Sequence, residues 1–173
     1  MKINSRVCCM LPARLDVDDY VPLCVTFGDG PDHQLYYRYV GGSYLIEIGF
    51  DQYKTCLSSI KLVQVCDYVE IEKVKKDFKA IFIEGLPCSD LDQWQGGVFI
   101  DSNGSVEIEI SEDQLRIRFG SDNDVVSVYR NENVYFGCAN DRVVVWILID
   151  EVDVELIKKI KHIILEQQNQ SFL

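Results

Sequence analysis

The stretch Val106-Glu107-Ile108-Glu109-Ile110, then Ser111 to Gln114, then Leu115-Arg116-Ile117-Arg118-Phe119, alternates strictly on both sides of a polar turn. Successive strand side chains point to opposite faces, so the pattern specifies a half-buried β-hairpin and is wrong for a helix. Folded about the turn, Ile110 faces Leu115, Ile108 faces Ile117 and Val106 faces Phe119 on one side. The other side pairs Glu109 with Arg116 and Glu107 with Arg118. Each opposite-charge pair contributes roughly 0.2 to 1 kcal/mol, and a one-residue slip would turn the apolar set into water. Upstream, Gly97 to Asp101 runs on through Ser102-Asn103-Gly104-Ser105, and Asn-Gly favours a type I′ turn. Residues 97–119 are therefore expected to form a three-stranded antiparallel meander.

A second hairpin is expected where Tyr36 to Val40 and Tyr44 to Ile48 flank Gly41-Gly42. Shifted by 71 positions (117 against 46), Ile46-Glu47-Ile48-Gly49-Phe50-Asp51 lies over Ile117-Arg118-Phe119-Gly120-Ser121-Asp122. Two explanations stand: an internal duplication of a hairpin unit, with pseudo-repeat halves 22–84 and 96–150, or two hairpins alike because hairpins obey the same rules. Further strands are expected at 22–27, 57–66, 79–84, 124–129, 133–137 and 142–149, the last fully apolar from Val143 to Ile149 and so central. Asp153 is placed to cap a helix over 153–168, in which Val154, Ile157, Ile160 and Ile164 recur at helical spacing. A short turn is expected from Ser89, and Val69 to Phe78 fits either helix or strand. The chain thus reads as one α+β domain over 1–173, mainly an antiparallel β-sheet meander with a C-terminal helix packed on the sheet.

An apolar fraction of 47% is too high for a disordered chain, despite a net charge of −11. The longest apolar runs fall well short of the ~20 residues a membrane span needs. Lys2 and Arg6 precede the apolar Val7 to Ala13, but Arg14 and Asp16 close that stretch below signal-peptide length, so a cytoplasmic location is expected. The seven cysteines are odd in number and form no C-x-x-C pair, which fits reduced thiols used mostly as small core side chains.

Catalytic motifs are missing: no nucleophile elbow, phosphate-binding loop, H-E-x-x-H or dinucleotide fingerprint occurs, and the two histidines, His33 and His162, sit in polar settings. Asp101, Asn103, Ser105, Glu107, Glu109 and Glu112 fall in a calcium-loop register, but Val106 stands where an EF-hand requires Gly, so the hairpin reading holds. No enzyme activity, metal or cofactor is expected. The basic runs, Lys73 to Lys76 and Lys158 to Lys161, are interrupted by apolar residues, which disfavours direct nucleic-acid or membrane binding. Acids without a sequence-local partner remain at Asp16, Asp18, Asp19, Asp29, Asp32, Asp90, Asp92, Asp122 and Asp124. Acids steer a basic partner and aromatics anchor it, so Asp16, Asp18, Asp19 and Tyr20, together with Asp90, Asp92 and Trp94, are the expected partner-binding residues.

A small acidic β-rich chain with short hairpins such as Val106 to Phe119 and no catalytic motif resembles the immunity proteins of bacterial contact-dependent and polymorphic toxin systems. The resemblance is one of type and transfers no functional residue. It implies a cytoplasmic inhibitor that binds a basic protein partner, a cognate toxin domain such as a nuclease, and blocks its active site. The rival readings are a ligand carrier, whose curved sheet would enclose an apolar cavity, and an enzyme whose site is assembled from distant residues, such as a Cys with His33.

Overall fold

Leu23, Val25 and Phe27 recur as Leu115, Ile117 and Phe119, 92 positions on (115 against 23), and each trio is the spine of one of two large sheets. The computed structural model describes residues 1–30, 33–76, 78–119 and 125–170. In chain order the strands begin with β1 (Val7–Cys8), β2 (Ala13–Asp16), β3 (Leu23–Phe27), β4 (Gln34–Val40), β5 (Tyr44–Asp51) and β6 (Leu57–Val65). They continue with β7 (Val69–Glu70), β8 (Ile81–Glu84), β9 (Leu86–Pro87), β10 (Phe99–Ser102), β11 (Val106–Ile110) and β12 (Leu115–Phe119). Last come β13 (Ser127–Asn131), β14 (Val134–Cys138), β15 (Val144–Ile149) and the helix α1 (Val154–Gln170).

Read from one edge, the first sheet runs β2-β3-β6-β5-β4-β10 and the second β11-β12-β15-β14-β13-β8, with β7 added outside β11. The two orders correspond strand for strand. In each, a late strand enters between two hairpins, and a parallel strand closes the far edge. Register corresponds as well: Leu23 faces Leu62 and Val25 faces Ile60, while Leu115 faces Ile149 and Ile117 faces Ile147. The edge strands match in chemistry, with Phe99-Ile100-Asp101 against Tyr36-Tyr37-Arg38 and Phe82-Ile83-Glu84 against Val128-Tyr129-Arg130. This likeness differs from the 71-position overlay, which laid β5 over β12, strands that hold different places in their sheets. Alternation is common to all strands and does not tell one hairpin from the other.

The hairpin β11–β12 has the expected register, with Glu109 opposite Arg116 and Glu107 opposite Arg118. The three-stranded meander does not form. β10 lies in the other sheet, parallel to β4, because Arg38 grips Asp101 through two hydrogen bonds (2.7 and 2.9 Å) and Phe99 stacks on Tyr36. The β4–β5 turn centres on Gly42 and Ser43 rather than Gly41 and Gly42, since the Gly41 N–H donates to the Tyr44 carbonyl. β15 is central, between β12 and β14, as its unbroken apolar run implies.

The inner faces meet in one core, where Phe27 packs on Phe136 and Tyr39 stacks on Phe119 at 4.3 Å. Asp153 caps α1, accepting the Glu155 and Leu156 N–H groups, and Ile157, Ile160, Ile163 and Ile164 bury their side chains in or against that core. Val154, the first apolar position, stays half exposed. Among the described residues no helix is long and apolar enough to cross a membrane.

Beyond β7 the chain crosses the outer face of the second sheet to β8 on the opposite edge, six strand spacings away. Six spacings span about 29 Å, and the eleven residues from Glu70 to Ile81 reach at most about 40 Å, so the crossing is nearly straight. This strap answers the helix-or-strand ambiguity of Val69 to Phe78: beyond β7 its described residues are in neither. Val74, Phe78 and Ala80 cover a second apolar cluster of Val128, Tyr135, Val145, Trp146 and Leu148. Gln114 fastens the strap by exchanging hydrogen bonds with the Val74 backbone, and Lys73 and Lys76 pair with Asp113 and Asp150. Burial alone would push the Asp150 carboxyl up, but Lys76 and Gln114 outweigh it and hold the group below its usual range. Glu109 behaves alike, with burial overcome by Arg116 and Arg118.

Two expectations follow. A Cβ on Gly137 would stand 2.1 Å from the Trp146 ring, whereas one on Gly42 would meet nothing within 4 Å. Gly137→Ala should therefore lower stability by about 1–3 kcal/mol, and Gly42→Ala by less than about 0.5, as read from urea midpoints. A depressed carboxyl stabilises the fold above its unfolded pKa and loses that effect as pH falls through the folded value. Asp150→Asn should thus cost about 1–3 kcal/mol at pH 7, with the gap to the unmodified protein closing below about pH 4. A gap that stays constant down to pH 2 would refute the Lys76–Asp150 account.

Candidate partner-binding surface

The loop between β2 and β3 is built by its own backbone chemistry. The Asp18 carboxylate accepts the N–H groups of Tyr20 and Val21, both at 2.7 Å, which closes a tight turn and holds the Asp18 carboxyl below its usual range. Helix α1 then fastens the loop from below: Lys159 donates to the Val17 carbonyl at 3.0 Å and Gln167 to the Tyr20 carbonyl at 2.8 Å. With the backbone so engaged, the side chains point outward. Tyr20 is 82% exposed, the highest value among the large exposed apolar residues. Asp18 and Asp19 flank it in solvent, and Asp16 pairs with Arg14 at 2.9 Å on the rim.

The second expected group lies elsewhere. Asp90 accepts a hydrogen bond from Asn4 at 2.9 Å and precedes a single 3-10 turn, Leu91–Gln93, that carries the exposed Asp92. This is the short turn expected from Ser89. Trp94 is only 8% exposed: its ring packs on Phe50 and its indole N–H donates to the Tyr36 carbonyl at 3.1 Å. Its surface is committed to the core, so it is not available as a partner anchor. Phe50 faces Leu57 at the start of β6, whereas Gln167 joins Tyr20 to Val63 near the end of that strand. At 3.3 Å per residue the two groups stand about 20 Å apart. Asp32, Asp122 and Asp124 lie outside the described residues.

The fold brings other residues to the Tyr20 end. The Gln167 side chain also accepts the Val65 N–H at 2.8 Å, which carries the surface on to Asp67 and Tyr68. There a cleft of about 300 Å³ opens between the β4–β5 turn and β11, lined by Tyr44, Asp67, Tyr68 and Glu107 among others. Tyr44 closes its rim by donating to the Gly104 carbonyl at 2.6 Å, and Glu107 is paired with Arg118. The adjacent Asp67-Tyr68 pair repeats the acid-aromatic signal of Asp19-Tyr20, yet sequence reasoning passed over it between the strand expected at 57–66 and the ambiguous stretch from Val69.

On the outer face of the first sheet, charges alternate across four strands, as Asp101, Arg38, Glu47 and Lys61 stand in register, followed by Cys24 and Asp16. These groups answer one another. His33 stands edge-on to Tyr53, and His162 lies 3.4 Å from Glu166 on the exposed face of α1. Among the described residues no group of three or more His, Cys, Asp or Glu side chains converges to hold a metal ion. The chain matches no protein-family model and no curated protein.

The different roles of Trp94 and Tyr20 are separable by experiment. Trp94→Ala should destabilise the fold by about 3 kcal/mol or more. Tyr20→Ala should change stability by less than about 0.5 kcal/mol in the same urea titration. Equal losses at the two positions would show that the loop is part of the core.

Proposed function

We propose that this protein is an acidic binding module that captures a basic protein, in the manner of the immunity proteins that neutralise a cognate toxin domain by covering its active site. The observation that carries the reading is the presentation of Tyr20: an exposed aromatic residue on a fastened turn, directly after two exposed aspartates. An exposed tyrosine whose backbone is already ordered loses little conformational entropy on burial, which suits it to anchor a partner. The neighbouring acids would raise the encounter rate with a basic surface by roughly 10 to 1,000-fold at low salt. The loop sets three acids, Asp16, Asp18 and Asp19, against Arg14 and Lys159, so it faces solvent with an excess of negative charge.

The test is co-expression with any toxin domain encoded beside this protein, followed by binding kinetics at low and high salt. Asp19→Ser combined with Asp16→Ser should slow association several-fold at low salt, and the difference should shrink at ~0.5 M salt, where screening reaches within about 5 Å. Tyr20→Ala should speed dissociation by roughly 30-fold if the ring is an anchor worth about 2 kcal/mol. Asp92→Ser, about 20 Å away, should leave both rates unchanged. Absence of any complex would end the immunity reading, and association indifferent to salt would end its electrostatic mechanism.

A further inference from the structure

Three of the cysteines converge from separate parts of the chain. Cys8 lies on β1, Cys88 just after β9, and Cys56 opposite Cys88 in an isolated antiparallel bridge. The Cys8 and Cys88 sulfurs are 3.4 Å apart, and all three are thiols. The approach is built into the backbone. A Cβ on Gly85 would stand 2.1 Å from the Cys8 carbonyl oxygen, and φ there is +120°, so only glycine lets β1 come this close. Thr55, whose hydroxyl lies beside the Cys88 sulfur, holds the left-handed conformation at φ +65°, which is costly for a β-branched residue. Backbone strain thus gathers where the thiols meet.

The three sulfurs differ in access. Cys56 and Cys88 are 3% and 2% exposed, and burial pushes both thiols up to about 12, so at neutral pH they are protonated and shielded. Cys8 is only half-buried and offers the entry point. From this geometry we propose that Cys8 and Cys88 form a peroxide-responsive dithiol site. A hydroperoxide oxidises Cys8: the sulfur takes the terminal oxygen to become a sulfenic acid, and the peroxide leaves as an alcohol or, from hydrogen peroxide, as water. The Cys88 sulfur then attacks the Cys8 sulfur, the S–S bond forms, and the sulfenic oxygen departs as water with the Cys88 proton. Two electrons pass from the sulfurs to the peroxide. The Cys88 thiol already touches its target, so the second step requires only that the sulfurs close from 3.4 Å to a bond length of about 2 Å.

The site is independent of any partner. It is tested on the full-length protein with hydrogen peroxide as the probe, counting thiols in denaturant before and after. Seven should fall to five, with peptide mapping placing the new bond between Cys8 and Cys88. The bond would close an 80-residue loop and should raise Tm by about 10 °C, reversibly with dithiothreitol. Cys8→Ser should abolish the thiol loss and Cys9→Ser should leave it intact. Retention of all seven thiols, a bond formed instead through the exposed Cys9, or conversion of Cys8 to a sulfinic acid without a bond would each overturn the proposal. Mapping on the unsubstituted protein decides the matter even if a serine variant fails to fold.

Discussion

Everything in this fold depends on the insertion of one apolar strand between two hairpins, carried out twice. β6 receives Ile48 from one side and Val25 from the other against Ile60, and β15 receives Ile117 and Phe136 against Ile147. A strand flanked on both sides and packed from the facing sheet has no solvent side for its inward residues, which explains why Ile60 and Ile147 are wholly buried. Once these pairs are set, the outer faces are set with them, because the side-chain period is two. On the first sheet that face becomes a ladder of opposite charges. On the second, Trp146, Tyr135 and Leu148 fall at the corresponding outer positions, and water must be kept from them. The strap is the consequence of that one difference. Its polar fixings are made by Gln114 and Asp150, buried residues at the ends of β12 and β15, so the cover is attached to the strands it protects.

The same contrast explains what could be read from the residues. The β11–β12 hairpin is local: its alternation, turn and charge pairs lie within fourteen consecutive positions, from Val106 to Phe119, and each points to one register. α1 is local too, with its cap and its isoleucines in a single stretch. β10 was misplaced because its partner, β4, is some 60 residues upstream and the pairing is parallel, which no turn residue announces. Asn103-Gly104 does mark a bend, but the bend passes between sheets instead of closing a hairpin. The repeated topology was hidden for a related reason: its clearest trace, the spacing of Leu23, Val25 and Phe27, gives the correct offset only once the inserted strands are known. For the candidate surface, the Asp16 to Tyr20 loop was legible from its composition. The burial of Trp94 was not, since an aromatic among aspartates looks the same whether it faces Phe50 or water. Asp67 and Tyr68 joined the surface only through Gln167, about a hundred residues away.

Net charge and the position of charge are distinct quantities here. Of the acids close to the sheets, Asp101, Glu107, Glu109, Asp113 and Asp150 each face an Arg or Lys. The exposed pairs of Asp101 and Glu107 contribute little to stability, at most about 1 kcal/mol each, whereas Glu109 and Asp150 are buried; all five cancel the local field. The excess that makes the chain acidic is therefore expressed at loops, where carboxylates are held by backbone N–H groups, as Asp18 is, or by nothing. A backbone-held carboxylate keeps its charge while it shapes the turn. The loop thus has a defined conformation and a negative charge from the same carboxylate, and Lys159 lies close enough to favour that charge.

That combination bears on how the molecule could discriminate among partners. Charge alone attracts any basic surface, and at ordinary ionic strength its reach is about 8 Å, so it sets the rate of encounter and little else. Specificity needs a shape that is fixed before contact. The Tyr20 turn meets this requirement because its hydrogen bonds reach both into its own backbone and across to α1, and α1 is in turn held by isoleucines in the core. Displacing the turn's backbone would mean breaking the Gln167 amide contacts, which also hold Val65 and Val63 at the end of β6. The most exposed aromatic in the loop is therefore coupled mechanically to the most buried strand of the first sheet. A partner that buries Tyr20 would press against that strand through one glutamine, and for this reason the loop can stay in place while the surfaces around it adapt.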